Sequence, residues 1–318
     1  MNKVVFICPY FGKLPINQIN LFLKCCSYNE KFNFLIITDD KTKFHYPKNV
    51  KFVYYSFEEL KKMMQLKFDF KLNIQTPYKL CDFKPAYGYI FCDFIKEYEY
   101  WGYCDMSDMI FGDLSKFIDF NLINKYDKIN YLGHLTLYKN TSKVNKRIFE
   151  RCNDKYELKN IFGNQENMAF DENMEYGINR IYSEKGYSSL RIDNMYSDIA
   201  PKYFVFREAK CDVNYNFYYP KNRFIYRWNK GKLYKVGLKN NMINEEEIGY
   251  CHYQKRKMNF ENFDFNIDEF LIVPNSFINY SGDVKKDVFK KYTRNKLYLQ
   301  FFNLTYKNIV KRIKNKLK

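Results

Sequence analysis

Short apolar runs that end in polar clusters, alternating with helix-periodic stretches, constrain this chain most. Lys3 to Cys8 is a short apolar run, expected as a first strand buried on both faces, and Pro9-Tyr10-Phe11-Gly12 breaks it. Residues 16–27 space Ile16, Ile19, Phe22 and Leu23 like a helix face. Phe32 to Thr38 and Val50 to Tyr54 are expected strands, and 57–67 an expected helix. A helix is expected from Lys84 to Tyr98, opened by Pro85 in its first turn, then a strand at Tyr100–Cys104. Residues 129–138 read as a strand and 165–184 as a helix. Arg223–Trp228 and Lys232–Val236 flank Asn229-Lys230-Gly231 in a hairpin pattern, and 248–252 make a late strand ending in His252. The order predicts an α/β fold with a mainly parallel sheet. In such sheets ligands sit at the carboxyl ends of the strands, which singles out Pro9–Gly12, Thr38–Asp40 and the residues after Cys104.

The 318 residues suffice for one large domain or two modest ones, and 46% hydrophobic against 28% charged residues places the chain among globular proteins. The aromatic fraction of 20% is either a coding bias, in company with many Lys and Asn, or a supply of platforms for sugar rings or bases. The opening apolar stretch is too short for a signal-peptide core, and no window approaches a bilayer-spanning length. The nine cysteines are scattered with no CxxC, which suggests reduced thiols in a cytoplasmic protein. The net charge of +17 is uneven: from Lys285 to Lys318 there are twelve Lys or Arg and one acid, Asp287, leaving +6 for the rest. Leu297, Phe301, Leu304, Ile309, Ile313 and Leu317 are spaced at roughly helical intervals there. This basic segment is either an amphipathic helix resting on anionic lipid or a helix packed on the main domain with a solvated end.

Five segments carry chemistry. Asp105-Met106-Ser107-Asp108 follows the Tyr100–Cys104 strand, and carboxylates at a strand end suit a hard cation, Mn²⁺ or Mg²⁺; the other reading is that they cap turns. Lys79, Asp82 and Lys84, just before an expected helix start, form either a phosphate or ribose cradle or a solvated helix start. His252 after a strand, with Lys255, Arg256 and Lys257 behind it, offers an imidazole to a metal and cations to phosphates, or is a buried structural histidine. Asp171 and Glu172, inside or opening a helix, include a candidate general base or are helix-start acids favoured by the dipole. His134, in Gly133–Tyr138, either faces an acceptor sugar or belongs to a half-exposed strand.

In order along residues 9–258, the segments PYFGKLP (9–15), FLIITDD (34–40), PYKLCDFKPAYG (77–88), YWGYCDMSDMIFGDL (100–114), GHLTLYKNT (133–141), AFDE (169–172) and YCHYQKRKM (250–258) resemble a bacterial family of GT-A-type glycosyltransferases of cell-surface polysaccharide synthesis. The resemblance implies a GT-A-like, Rossmann-type domain over 1–260, with helices on both faces of a mixed, mainly parallel sheet, and a C-terminal extension over 261–318. It implies that Thr38 and Asp39 hold the base or ribose and that Lys79, Asp82 and Lys84 surround the nucleotide and sugar. Asp105 and Asp108 would stand for the Asp-x-Asp metal motif, His252 for a late metal ligand, and Lys255 would lie near the diphosphate. His134 and Asp171 or Glu172 would face the acceptor or the transferred sugar. The sequence departs from that motif at Ser107, which occupies the place of its second aspartate.

The expected activity is sugar transfer from a nucleotide-diphosphate donor, UDP being the commonest for the fold, to a glycan or lipid-linked acceptor. It would proceed in the cytoplasm or at the inner face of the membrane. Two rivals have different signatures. A nucleic-acid-binding protein would use the basic segment and show steep salt dependence, but the body lacks a recognition motif and no specific nucleic-acid partner is expected. A catalytically inactive scaffold would bind nucleotide without transfer.

Overall fold

The computed structural model describes residues 3–151, 156–212, 214–294, 310 and 313. Among these residues the strands are β1 Val4–Pro9, β2 Phe32–Thr38, β3 Val50–Tyr54, β4 Tyr100–Cys104, β5 Met109–Phe111, β6 Lys128–Leu132, β7 Leu135–Lys139, β8 Ser189–Leu190, β9 Tyr196–Asp198, β10 Lys210–Cys211, β11 Phe217–Tyr218, β12 Ile225–Asn229, β13 Lys232–Lys239, β14 Met242–Ile248, β15 Tyr250–His252, β16 Glu269–Val273 and β17 Ser276–Asn279. The chain divides into two compact units: Met1–Ser107 with Ser115–Asp193, and Asp108–Leu114 with Asn194–Lys318.

The first unit holds a mixed sheet in the order β3-β2-β1-β4-β7-β6-β8. Strands β3, β2, β1 and β4 are mutually parallel, β7 runs antiparallel to its two neighbours, and β8 is parallel to β6. Parallel pairing of β1 and β2 needs a crossover, and the helix Ile16–Ser27 supplies it, burying Ile19, Phe22, Leu23 and Cys26 along one stripe. The next helix, Phe57–Gln65, starts at a capping box in which Ser56 accepts from the Glu59 amide and Glu59 accepts from the Ser56 amide. The core of this unit is aromatic: Trp101 stacks on Tyr138 at 4.7 Å and Phe83 lies against Phe162 at 4.2 Å.

Three expectations for this unit are corrected. The helix expected over 84–98 is a series of short turns, Lys84–Ala86, Tyr87–Ile90 and Cys92–Phe94. Gly88 accounts for the tight packing there, since a Cβ on it would stand 2.1 Å from the Trp101 indole. The strand expected over 129–138 is a hairpin of β6 and β7, turned at Gly133-His134. The helix expected over 165–184 is confined to Ile178–Glu184, and Asp171 and Glu172 lie in a turn before it.

Buried in this unit is Lys128, whose Nζ donates to the Asn130 carbonyl at 2.7 Å and to Asn179 Oδ1, and lies 5.5 Å from the Tyr182 ring centre. Burial, with Arg191 adding repulsion, pulls its pKa down to about 7. The unfolded chain therefore binds more protons than the folded one between that value and the ordinary 10.5, so this group's contribution to stability rises with pH across the interval. Urea midpoints compared at pH 6.5 and 9 should show this slope in wild type and a flatter one in Lys128→Met; an unchanged slope would refute the assignment.

The second unit is mainly strands, with a helix among its described residues. An antiparallel sheet runs β14-β13-β12-β16-β17, and a smaller one runs β5-β15-β9. The β12–β13 hairpin turns through Lys230 at φ 45° and Gly231 at φ 80°, two left-handed residues that match the twist of the strands. Trp228 Nε1 donates to the Phe111 carbonyl at 2.8 Å, and Phe289, from the helix Lys286–Tyr292, packs with Ile225, Val236 and Leu271. That helix is the start of the basic segment. The amphipathic pattern of Leu297, Phe301, Leu304, Ile309 and Leu317 lies outside the described residues. Among the described residues no helix is long and apolar enough to cross a membrane.

Candidate functional site

The acidic segment after β4 is where the chain passes from one unit to the other, and it gives one carboxylate to each. Asp105, in the first unit, accepts from Lys84 Nζ at 2.6 Å. The same ammonium donates to the Gly133 carbonyl at 2.7 Å and lies 3.7 Å from Asp171 Oδ2. Lys84 is thus held by three oxygens, and 5.6 Å from it is the centre of the Tyr103 ring. Burial alone would lower the Lys84 pKa; Asp105 and Asp171 outweigh it and hold the group well above its ordinary value. Asp171 is itself buried, which pushes its carboxyl well up; Lys84 opposes the rise, and Glu172 and Asp105 add to it.

Gly133 makes this cluster sterically feasible. A Cβ there would lie 2.5 Å from Asp171 Oδ2 and 2.6 Å from Glu172 Oε1, so both carboxylates press on the bare backbone of the β6–β7 turn. His134, next in that turn, is buried, and its carbonyl accepts from the Asp105 amide at 3.1 Å. Lys84, Asp105, His134, Asp171 and Glu172 are therefore gathered beside the carboxyl end of β4.

The other residues marked in the first unit serve the backbone. Lys79 and Asp82 pair with each other at 2.7 Å, with Asp82 0% exposed. Asp82 also accepts from the amides of Met168 and Ala169, where Ala169 has a left-handed φ of 51°. The pair thereby fixes the turn that delivers Asp171. Thr38 closes β2 and its hydroxyl accepts from the Asp40 amide, while Asp39 accepts from the Gly12 amide at 2.8 Å. The first bond shapes the turn after β2, and the second ties that turn to the segment after β1.

In the second unit the register of β5-β15-β9 builds a different arrangement. His252 stands opposite Met109 on one side and opposite Asp198 on the other. Asp108 immediately precedes β5, and its carbonyl accepts from the Tyr253 amide at 2.9 Å. The imidazole consequently lies between two carboxylates, with Nδ1 2.8 Å from Asp198 Oδ1 and Nε2 3.5 Å from Asp108 Oδ2. Burial would lower the His252 pKa, but Asp108 and Asp198 outweigh it and raise it well above the ordinary value. Lys255 is exposed three residues on, whereas Arg256 turns inward to Asn275 and the Tyr203 carbonyl.

The donor set of Asp108 and His252 fits a divalent cation. Two donors each about 2.1 Å from one ion stand about 3.0 Å apart at a right angle and about 3.4 Å apart at a tetrahedral one. The observed 3.5 Å is close to the wider of these. Mixed oxygen and nitrogen donors admit Mn²⁺ and Zn²⁺ as well as Mg²⁺. Asp198 was missed from the sequence because β9 is three residues long and its partner is 54 positions away.

These features define an α/β protein with a mainly parallel sheet, a buried lysine–carboxylate cluster in one unit and a carboxylate–histidine pair in the other. Residues 6–281 match a family of unknown function (DUF6625), and the chain belongs to that family. No curated protein matches the sequence.

Proposed function

We propose that the chain is a metal-dependent glycosyltransferase of GT-A type, moving a sugar from a nucleotide-diphosphate donor, UDP-linked first among the candidates, to a glycan or lipid-linked acceptor. The reading rests chiefly on the segment after β4, where Asp108 lies 3.5 Å from His252 Nε2. Asp108 and His252 would hold Mn²⁺ or Mg²⁺, which when bound supplies positive charge to the leaving diphosphate. Lys255, exposed beyond His252, adds a cation for phosphate oxygens. Asp171 or Glu172, in the first unit, would take up the proton of the acceptor hydroxyl if the transfer inverts, and both would hold sugar hydroxyls if it retains. Lys84 keeps the buried Asp171 in place for either task. The reaction belongs at the cytoplasmic face, with the basic segment from Lys285 on anionic lipid.

A thermal-shift panel of nucleoside diphosphates and sugar nucleotides, each with and without Mn²⁺, tests this. One nucleotide should raise the melting temperature by roughly 4 °C at a hundredfold excess over its Kd, and only with the metal. The absence of any shift across the panel would overturn the reading; nucleotide binding without transfer would favour a scaffold.

A further inference from the structure

The histidine at the end of β15 is held on both ring nitrogens, but unequally. Nδ1 is at full hydrogen-bond distance from Asp198 Oδ1, 2.8 Å, while Nε2 and Asp108 Oδ2 are 3.5 Å apart. Asp198 is fixed from three sides. The parallel register places it directly beside His252, its carbonyl accepts from the Ala209 amide at 2.7 Å, and the Ile199 amide donates to the His252 carbonyl at 2.8 Å. Both of its carboxylate oxygens accept from Gln254 Nε2, at 2.9 and 2.8 Å. Gln254 reaches back to do so from a left-handed φ of 49°, a conformation that side-chain-bearing residues adopt uncommonly. A left-handed residue two positions after the strand is thus used to clamp one buried carboxylate.

We propose that Asp198 is a positioning residue for His252, fixing the ring proton on Nδ1 so that Nε2 is presented toward Asp108 as a donor for a divalent cation. The inference rests on the metal reading of Asp108 and His252. An ionised carboxylate can only accept, so the imidazole must offer Asp198 an N–H. A neutral ring with its proton on Nδ1 carries its lone pair on Nε2; the opposite tautomer would set that lone pair against the Asp198 oxygen. Metal-binding histidines commonly have their second nitrogen anchored in this way, and the anchor raises the basicity of the ligand. Asp198 is assigned to the anchor because Gln254 and His252 already engage its oxygens.

Mn²⁺ alone, titrated calorimetrically into the full chain, tests the assignment. Asp198→Ala should weaken Mn²⁺ binding by about 100-fold and the isosteric Asp198→Asn, which keeps an oxygen on Nδ1, by about tenfold. In a His252→Ala background Asp198→Asn should have no further effect, because it acts through the missing ring. A structural role alone would lower the melting temperature and leave this order and this non-additivity unseen. If wild type binds Mn²⁺ and Asp198→Asn binds it within twofold, the positioning role is overturned while the metal site stands. Equal loss in the presence and absence of His252 would make Asp198 a ligand itself and overturn the role as stated. If wild type does not bind Mn²⁺, the metal reading falls and takes the inference with it. Asp198→Asn carries the test should the alanine variant fail to fold.

Discussion

Lys84→Met should destabilise the first unit by about 3–5 kcal/mol at neutral pH, the range expected when one partner of a buried ion pair is removed. Methionine approximates the length of the lysine stem but offers no charge. It would leave Asp105 and the buried Asp171 without their shared cation and the Gly133 carbonyl without that donor. The loss has a defined pH dependence. Asp171 already has a raised folded-state pKa, so its contribution to stability is present below its unfolded pKa of about 3.9 and is lost as pH rises through the folded value. Removing the ammonium raises that folded value further. The deficit of Lys84→Met should therefore be smallest at acid pH, where Asp171 is protonated in both chains, and grow as pH rises through the folded value of wild type. Asp171→Asn in the same background should recover part of the deficit. Urea titrations from acid to alkaline pH measure it, and a deficit that stays constant across the whole series would show that the cluster is not electrostatically coupled.

The same cluster shows what could be read from the sequence and what could not. β1, β2, β3 and β4 were found within a residue or so: β1, β2 and β4 are apolar runs buried along most of their length and bounded by polar residues, while β3, a half-exposed strand, shows as a short β-branched and aromatic run. The helix Phe57–Gln65 carried its own start signal in Ser56 and Glu59. The failures have a common cause in long-range contact. Nothing local distinguishes one strand over 129–138 from a hairpin whose five residues of β6 are all buried. Nothing local reveals that Gly88 must be a glycine to admit Trp101, or that Gly133 must be one to admit two carboxylates. Asp171 and Glu172 were picked out by their chemistry but placed on a helix, whereas Asp82 fixes them through the amides of residues 168 and 169, 86 and 87 positions away. Lys79 and Asp82 read either as a ligand cradle or as a solvated helix start, and neither their 2.7 Å pairing nor their burial shows in the spacing. Asp108 and His252 were legible as separate strand-end residues, and antiparallel pairing of β5 with β15 is what sets them side by side.

On the proposed glycosyltransferase reading, Asp108→Ala should reduce metal-dependent transfer by at least about a hundredfold, the scale seen when a preorganised electrostatic contact to the reacting charge is removed. The substitution deletes half of the donor pair and keeps the contact with Tyr253, which runs through the Asp108 backbone carbonyl. Its stability signature differs from its catalytic one. The raised His252 pKa contributes stability that is present below about pH 6.5 and is lost as pH rises through the folded value. Asp108 is one of the two carboxylates responsible for that raised value. The metal-free variant should consequently be less stable than metal-free wild type near pH 6 and converge with it at alkaline pH. The loss of transfer should persist at every pH, and His252→Ala should reproduce it with little further loss in the double variant, because on this reading the two side chains would hold one ion. Unfolding midpoints in chelator, set beside transfer rates in Mn²⁺, separate the two effects. Full transfer by a folded Asp108→Ala chain would remove the ion from this pair and leave the lysine–carboxylate cluster of the first unit as the place to look for the chemistry.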